Sequence, residues 1–303
     1  MGHPMVLNFF LFLIFFLCPA AISVFPVAKP GCQETCGNFL IPYPFGMNNT
    51  NCYRDPSFEL ICNDTYYNPP KPFWGSLEVV NISLLGQFRI LVYVGRDCYN
   101  SQGTPTYQNY ADFTVYNNAF TISNTENKFT AIGCDTQAYL SGLEGENFTS
   151  GCNMFSTNEK ELINGSCTGI GCCQTSIPTG FRFFQIEIFS YYNHTNVSDF
   201  NPCSFAFVAD YNWYNFSTSD LLNFTYNLDD RGYPRTPLVL DWAMNNWPTQ
   251  TNISCEEAMK NQTSYACGNN SVCGVSNNGL GYSCNCSQGY QGNPYLQDGC
   301  QGT

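Results

Sequence analysis

The chain has 303 residues, of which 44% are hydrophobic and 11% are charged, and its net charge at pH 7 is −12. This length allows one to three domains, and the hydrophobic content is sufficient for a sizeable core. Residues 1–130 contain six Lys and Arg against eight Asp and Glu, whereas residues 131–303 contain five against fifteen. Because phosphate binding needs a basic face, this charge distribution argues against nucleic acid as a partner.

Eighteen cysteines and two histidines indicate the compartment in which the chain folds. So many thiols would be a hazard in the reducing cytosol, whereas in a secreted protein they form a disulfide scaffold. Structural zinc is the competing interpretation, but the CxC and CC pairs have no histidine nearby. We therefore expect disulfides, and neither a metal site nor a cofactor.

Asn-x-Ser/Thr sequons are unusually frequent in this chain. Glycans could supply the solubility that so few charged residues do not provide, although an Asn-rich chain also forms sequons by chance. We expect N-glycosylation at Asn48, Asn63, Asn81, Asn147, Asn164, Asn193, Asn196, Asn215, Asn223, Asn252, Asn261, Asn269 and Asn285.

The first predicted element is a signal peptide at residues 1–23. Residues 6–17 form an apolar run that is too short to span a membrane, and small residues suitable for cleavage follow it. The preceding residues include no Lys or Arg, so an uncleaved anchor is the alternative. Cleavage would release a chain with seventeen cysteines to the cell exterior.

Residues 31–62 form a cysteine-rich segment around the sequence Ile-Pro-Tyr-Pro-Phe-Gly at 41–46. The two prolines remove backbone donors and fix φ, so this sequence runs extended. Four half-cystines lie around it, at Cys32, Cys36, Cys52 and Cys62. In a secreted chain this density predicts a disulfide-stapled loop.

Alternating apolar residues predict strands in the following chain. One strand is expected at 87–94, where every second residue is apolar from Phe88 to Val94, and another at 182–188. Shorter runs of the same kind are separated by turn residues such as Gly103-Thr104-Pro105. These patterns predict a mostly β, disulfide-rich fold.

The spacing CxxxCGNxxIPYPFG at 32–46, followed by Cys-Tyr at 52–53 and an F-x-L step before Cys62, resembles the galacturonan-binding domain of plant wall-associated receptor kinases. The blocks PKPFW at 70–74 and NKFTAIGCDTQAY at 127–139 are also similar to this family. The resemblance implies a galacturonan-binding-type domain at 28–140 and a wall-associated middle domain at 141–250. It also implies pectic polysaccharide as the ligand and the plant cell wall as the location.

The cysteines of the middle domain include a vicinal pair, Cys172 and Cys173. Such neighbours rarely bridge each other, so we expect them to bind two different segments. Similar proteins usually carry a cysteine four residues after Cys152, where this chain has Ser156. Cys32 through Cys203 then provide eleven cysteines, and we expect one of them to be unpaired or bridged between molecules, which would favour dimers.

Residues 251–303 resemble an EGF-like module, with six cysteines and a C-x-C step. The resemblance implies the pairs Cys255–Cys273, Cys267–Cys284 and Cys286–Cys300. Ser254 and Glu257 form a capping box that predicts a short helix. Calcium-binding modules place acidic residues before the first cysteine, but this chain has Asn252-Ile253-Ser254, so we expect no calcium site. The sequence stops at Thr303, and we expect neither a membrane span nor a kinase region in it.

Catalytic residues are scarce in the sequence. After cleavage the one remaining histidine, His194, lies inside a sequon, which disfavours a Ser/His or Cys/His centre. Glu144 with Glu146, or Asp229 with Asp230, could be proposed as a glycosidase pair, but carboxylates at this spacing are usually solvated. We predict that the chain is not an enzyme.

Sugar binding fits the residues that are present, since aromatic rings offer flat apolar faces. Candidate rings are Tyr43, Phe45, Phe73 and Trp74, with Trp213, Trp242 and Trp247 later in the chain, although a ring beside a disulfide usually belongs to the core. Galacturonan is a polyanion that a protein of charge −12 repels at long range, so attraction must be local. We hypothesise that its carboxylates pair with Arg54, Lys71, Arg89 and Arg96. Calcium bridging is one alternative, and scattered solvated cations are another.

The sequence therefore predicts a secreted or cell-surface glycoprotein that recognises pectin or oligogalacturonides in the plant cell wall. The alternative is a protein-interaction or decoy ectodomain of a receptor kinase, that is, a truncated receptor, with polysaccharide binding incidental. Receptor kinases of the same family would then be its partners, and the chain would be membrane-associated if it is a fragment of a full receptor.

Overall fold

The computed structural model describes residues 25–117, 119–142, 148–246, 248–249, 251–262 and 264–302. The predicted signal peptide lies outside these residues, as do Asn147, Trp247 and the pair Glu144 and Glu146. No helix within the described ranges is long and apolar enough to cross a membrane.

Strands provide most of the regular structure, which confirms the predicted β-rich fold. The first strands in chain order are β1 (Thr35–Cys36), β2 (Phe39–Leu40), β3 (Gly46–Met47), β4 (Glu59–Asn63), β5 (Lys71–Trp74), β6 (Leu77–Ser83), β7 (Gln87–Tyr93), β8 (Gly95–Tyr99), β9 (Pro105–Asn109), β10 (Ala111–Thr114) and β11 (Phe120–Ile122). They are followed by β12 (Asn127–Gly133), β13 (Asp135–Ser141), β14 (Thr149–Phe155), β15 (Gly171–Ser176), β16 (Phe183–Phe189), β17 (Cys203–Asp210), β18 (Arg235–Trp242), β19 (Ser271–Val275), β20 (Tyr282–Cys286), β21 (Tyr290–Gly292) and β22 (Cys300–Gly302). The helical segments are α1 (Cys255–Met259) and 3₁₀ turns at Pro56–Phe58, Glu159–Glu161 and Thr218–Leu221.

Three large sheets organise these strands. Their strand orders are β11-β18-β7-β6-β5-β4-β3, β15-β12-β17-β8-β9 and β10-β16-β13-β14. All neighbouring strands in them are antiparallel except β3 and β4, which are parallel. Strands from the predicted ranges 28–140 and 141–250 share all three sheets, so the two ranges are joined in one unit. The clearest example is β18, which lies between β11 and β7.

The burial pattern follows from where each strand lies. In β7, Phe88, Ile90 and Val92 point into the core, as the alternation predicts. Every residue of β17 is buried because its two faces line different cores. Ala206 and Val208 belong to the main core, which gathers side chains from all three large sheets, whereas Phe205 and Phe207 belong to a second core. The loop carrying Tyr214, Phe216 and Phe224 covers that second core.

The EGF-like segment packs directly against the rest of the chain. Met244 and Tyr282 exchange backbone hydrogen bonds of 2.8 and 3.1 Å. The ring of Tyr295 lies 5.3 Å from that of Trp242, and both are buried in the main core. The Asn293 amide donates to the carbonyl oxygens of Val27 and Tyr43 at 2.9 and 2.7 Å. This segment is therefore a docked part of the fold. Its helix α1 begins at the capping box that the sequence predicts.

Eight disulfides connect the described cysteines. They are Cys32–Cys52, Cys36–Cys62, Cys98–Cys203, Cys152–Cys173, Cys167–Cys172, Cys255–Cys273, Cys267–Cys284 and Cys286–Cys300. The last three are the pairs that the EGF-like resemblance implies, and the vicinal cysteines bind different segments as expected. Cys134 is free and fully buried in the described structure, so it cannot reach another molecule. Its burial contradicts the expectation that the odd thiol favours dimers.

Candidate functional site

The aromatic residues predicted to bind sugar in the first domain lie mainly in the core. Phe45 is fully buried and stacks on Phe88 with ring centroids 4.9 Å apart, and Tyr43 is 4% exposed. Trp74 is partly buried against Phe88 and donates its indole N–H to the carbonyl oxygen of Ser57 at 3.0 Å. The disulfide-stapled loop directs the side chains of Tyr43 and Phe45 into the core. Tyr43 and Phe45 thus offer no ring face to a ligand, contrary to the sequence-based prediction.

The other predicted rings also have protein partners. Phe73 is half-buried and stacks on Tyr67 at 5.5 Å. Trp213 packs edge-on against Tyr226 at 5.3 Å, beside the second core. Trp242 is only 1% exposed. These contacts stabilise the fold and leave little aromatic surface free at these positions.

Each of the four predicted cations has an internal partner. Lys71 Nζ lies 2.9 Å from Glu78, and Arg89 Nε lies 2.8 Å from Asp210. Arg54 donates to the carbonyl oxygen of Ser264 in the EGF-like segment. Arg96 lies under the ring of Tyr107, 5.2 Å from its centroid. The four side chains lie on different elements, and the ion pairs already neutralise two of them.

A different part of the surface gathers exposed aromatic rings around an arginine. We call it the tyrosine cleft, and it is lined by Tyr93, Tyr107, Asn109, Tyr110, Arg231 and Tyr233. Its volume is about 340 Å³, within the range of ligand pockets. Tyr93 ends β7, Asn109 ends β9, and Tyr110 connects β9 to β10. Asp112 on β10 lines the same cleft.

The rings of the cleft are held in place by neighbouring groups. Tyr107 and Tyr233 lie 6.3 Å apart, and the Arg231 guanidinium lies 4.9 Å from the Tyr233 ring centroid. Tyr93 and Tyr110 are 41% and 46% exposed. Burial raises the pKa of the Tyr107 hydroxyl, and Tyr233 adds to the effect, so this phenol remains a hydrogen-bond donor. Rigid rings of this kind lose little side-chain entropy when they bind a ligand.

Asp229 fixes the loop that presents Arg231. Its Oδ1 accepts hydrogen bonds of 2.9 Å from the backbone N–H groups of Arg231 and of Tyr233, and its Oδ2 lies 3.1 Å from Arg231 Nη2. Gly232 adopts φ 83°, which glycine tolerates without a steric penalty. Partial burial raises the pKa of Asp229, but these N–H groups, the guanidinium and the Tyr93 hydroxyl together lower it below its usual value. The carboxylate therefore remains ionised and holds the arginine in place.

The glycosidase pair considered from sequence has structural roles instead. Asp229 holds the loop, and Asp230 accepts a hydrogen bond of 3.1 Å from the Tyr67 hydroxyl. Because the pKa of Asp229 is lowered, this group is a poor proton donor near neutral pH.

A serine and a histidine also meet inside the fold. His194 Nδ1 lies 2.6 Å from the carbonyl oxygen of Asn201, so it donates there, and Nε2 accepts from Ser204 Oγ at 3.0 Å. Both side chains are fully buried, so a substrate cannot reach them. This pair therefore stabilises the packing of β17. Among the residues the structure describes, no three His, Cys, Asp or Glu side chains are grouped to hold a metal ion.

Comparison with known proteins places these features in a family context. Residues 32–93 match the family model "Wall-associated receptor kinase galacturonan-binding", whose last matched residue is Tyr93 of the cleft. Wall-associated receptor kinase 2 of Arabidopsis thaliana is 38% identical over 272 residues, which cover 89% of this chain and 34% of that protein.

The chain is similar to the wall-associated receptor kinases. Wall-associated receptor kinase 5 of the same plant is 36% identical over 97% of this chain and 37% of its own length. Wall-associated receptor kinase-like 3 is more distant, at 26% identity over 90% of this chain. The chain thus spans about a third of the length of these relatives. No solved structure matches it.

Sequence reasoning missed the tyrosine cleft. Its residues come from three regions of the chain, around residues 93, 107–112 and 231–233. The available local signals were the tyrosine-rich run at 105–110 and the Asp-Asp-Arg-Gly-Tyr turn at 229–233. Neither signal indicates by itself that the two segments meet.

Proposed function

We propose that this chain is a non-enzymatic extracellular protein of the plant cell wall that binds pectic polysaccharide. The observation that carries the proposal is the match of residues 32–93 to the galacturonan-binding family. Eight disulfides support an oxidising, extracellular location. The acidic and Ser/His pairs of the described residues have structural partners, which favours binding over catalysis.

Calorimetric titration of the secreted full chain with oligogalacturonides of defined length tests this proposal. We expect saturable binding, and no binding of a neutral wall oligosaccharide of similar length. Repeating the titration with a calcium chelator separates direct binding from calcium bridging. Absence of binding under both conditions contradicts the proposal, and capture of a receptor kinase ectodomain without polysaccharide would favour the protein-interaction alternative.

A further inference from the structure

We propose that the tyrosine cleft binds a short segment of uronate polysaccharide, with sugar rings stacked on its tyrosines and a carboxylate on Arg231. This inference rests on the proposed function and assigns that function to a site. It replaces the predicted cations with residues that the sequence did not single out.

The chemistry of the cleft suits a sugar acid. A pyranose ring has an apolar C–H face that packs on an aromatic ring, while its hydroxyls need donors and acceptors. Tyr93 and Tyr110 offer partly exposed rings, and Asn109 and the phenol hydroxyls offer polar groups. A guanidinium matches a carboxylate because it can donate two parallel hydrogen bonds.

Arg231 combines exposure with a fixed position. Its side chain is 66% exposed, yet Nε and Nη2 are held by Asp229, and Nη2 also donates to the Tyr93 hydroxyl at 3.1 Å. The bonds found within the described structure leave the two N–H groups of Nη1 for a ligand. A cation that is already oriented loses less entropy on binding than a free one.

The positions of the sequons also distinguish the cleft from the predicted cations. Asn63 is the cross-strand partner of Lys71, and Asn81 is the partner of Arg89. Asn81 also accepts a hydrogen bond of 3.4 Å from Arg89 Nη1. Glycans at these two asparagines would therefore cover the cations beside them.

The cleft, in contrast, is lined by no sequon asparagine. Its one asparagine, Asn109, is followed by Tyr-Ala and cannot be glycosylated as a sequon. The described sequon asparagines are all at least partly exposed, so glycans can be attached to them without disturbing the core. A glycosylated chain would thus leave the cleft open to a large polysaccharide.

The test compares oligogalacturonide binding to the secreted full chain and to two variants, Arg231→Gln and Tyr110→Ala. Each variant should weaken binding by about tenfold, in line with the loss of a charge-assisted contact or an aromatic anchor. Lys160→Gln and Tyr66→Ala are matched controls, because Lys160 is exposed and Tyr66 is 81% exposed outside the cleft. Tyr110 is 46% exposed, so Tyr110→Ala should disturb the fold little and keeps the test valid if Arg231→Gln disturbs its loop.

Methyl-esterified oligogalacturonide provides a second readout. This ligand lacks the carboxylates, so Arg231→Gln should change its affinity little, whereas Tyr110→Ala should still weaken its binding. If the wild-type chain binds and both cleft variants bind equally well, the site assignment is wrong while the proposed function stands. If the wild-type chain binds no pectic oligosaccharide, both are wrong.

Discussion

The backbone N–H of Ser156 donates a hydrogen bond of 2.8 Å to the carbonyl oxygen of Cys134. The pair continues the register of β13 and β14, in which Asp135 lies opposite Phe155. Position 156 is the one where the family resemblance leads us to expect a cysteine. The structure therefore places the unpaired thiol of Cys134 opposite this position.

Replacing Ser156 by Cys should create a ninth disulfide with Cys134 by joining these adjacent strand positions. Closing a loop of this size stabilises a protein by up to about 3 kcal/mol, so the thermal midpoint should rise by several degrees. Peptide mapping under non-reducing conditions identifies the bridge. Ser156→Ala is the control, and a free thiol at both positions would contradict the prediction.

The wild-type thiol should be inert in the folded chain. Burial raises the pKa of Cys134 to about 12, with Asp135 and Glu159 adding to the shift, so the reactive thiolate is absent at physiological pH. A thiol reagent should label Cys134 only after denaturation, and non-reducing gels should show a monomer. Rapid labelling of the native protein would show that this part of the fold opens.

Asn293→Ala should loosen the contact between the EGF-like segment and the rest of the fold. The substitution leaves the buried carbonyl oxygen of Tyr43 without its donor, whereas the Val27 carbonyl oxygen keeps the Tyr43 backbone N–H, so the cost should be about 1–3 kcal/mol. Hydrogen exchange of residues 264–302 should increase. Gln291→Ala, at an exposed position nearby, is the control and should change neither exchange nor stability.

Asp241 should make the fold more stable in mild acid than at neutral pH. Burial is the main cause that raises the pKa of this carboxyl to about 6. The hydrogen bond with Ser123 offsets part of the increase, and the negative charge of Glu126 adds to it. The folded chain then binds the proton more tightly than the unfolded chain. The resulting contribution to the free energy of unfolding is fully present below pH 3.8 and is lost as the pH rises through 6. Its size is on the order of 2–3 kcal/mol.

Asp241→Asn should therefore raise the free energy of unfolding at pH 7 and flatten its pH dependence between about 4 and 6. Denaturant unfolding curves at several pH values measure both effects. An unchanged slope in the variant would mean that another group is responsible.

Asp112→Asn should strengthen oligogalacturonide binding by about twofold to threefold. The carboxylate lies in the tyrosine cleft and repels an incoming uronate, whereas the amide keeps the shape and can donate a hydrogen bond. The gain should disappear with methyl-esterified ligand. Weaker binding of the acidic ligand to the variant would show that Asp112 accepts hydrogen bonds from the sugar instead.

Local features of the fold could be predicted from the sequence because short-range patterns determine them. The alternation in β7 and the capping box before α1 are both confirmed. The role of an aromatic ring could not be predicted in the same way, since Phe45 and Tyr110 each follow another tyrosine by two or three residues and neither neighbourhood indicates which ring is covered. Phe45 is buried by side chains from distant strands, among them Trp242 at the end of β18. Tyr110 lies exposed between β9 and β10.

The partners of the predicted cations also could not be predicted from the sequence, because they are distant from the cations along the chain. Asp210 meets Arg89 across 121 residues, and Ser264 meets Arg54 across 210. Composition shows that the chain has few cations, but not which of them form internal ion pairs. The cleft depends on similar long-range contacts, such as the hydrogen bond between Tyr93 and Asp229.

The central position of β18 has a consequence for synthesis if the chain is secreted as proposed. The ribosome synthesises the chain from its N-terminus, so the edge of β7 that pairs with β18 stays unpaired until residues 235–242 emerge from the translocation channel. During that interval the nascent chain exposes an apolar strand edge, for which lumenal chaperones are suited. A premature stop anywhere before Arg235 would thus leave the segment that matches the family model without the strand that completes its sheet, and quality control should retain such products inside the cell.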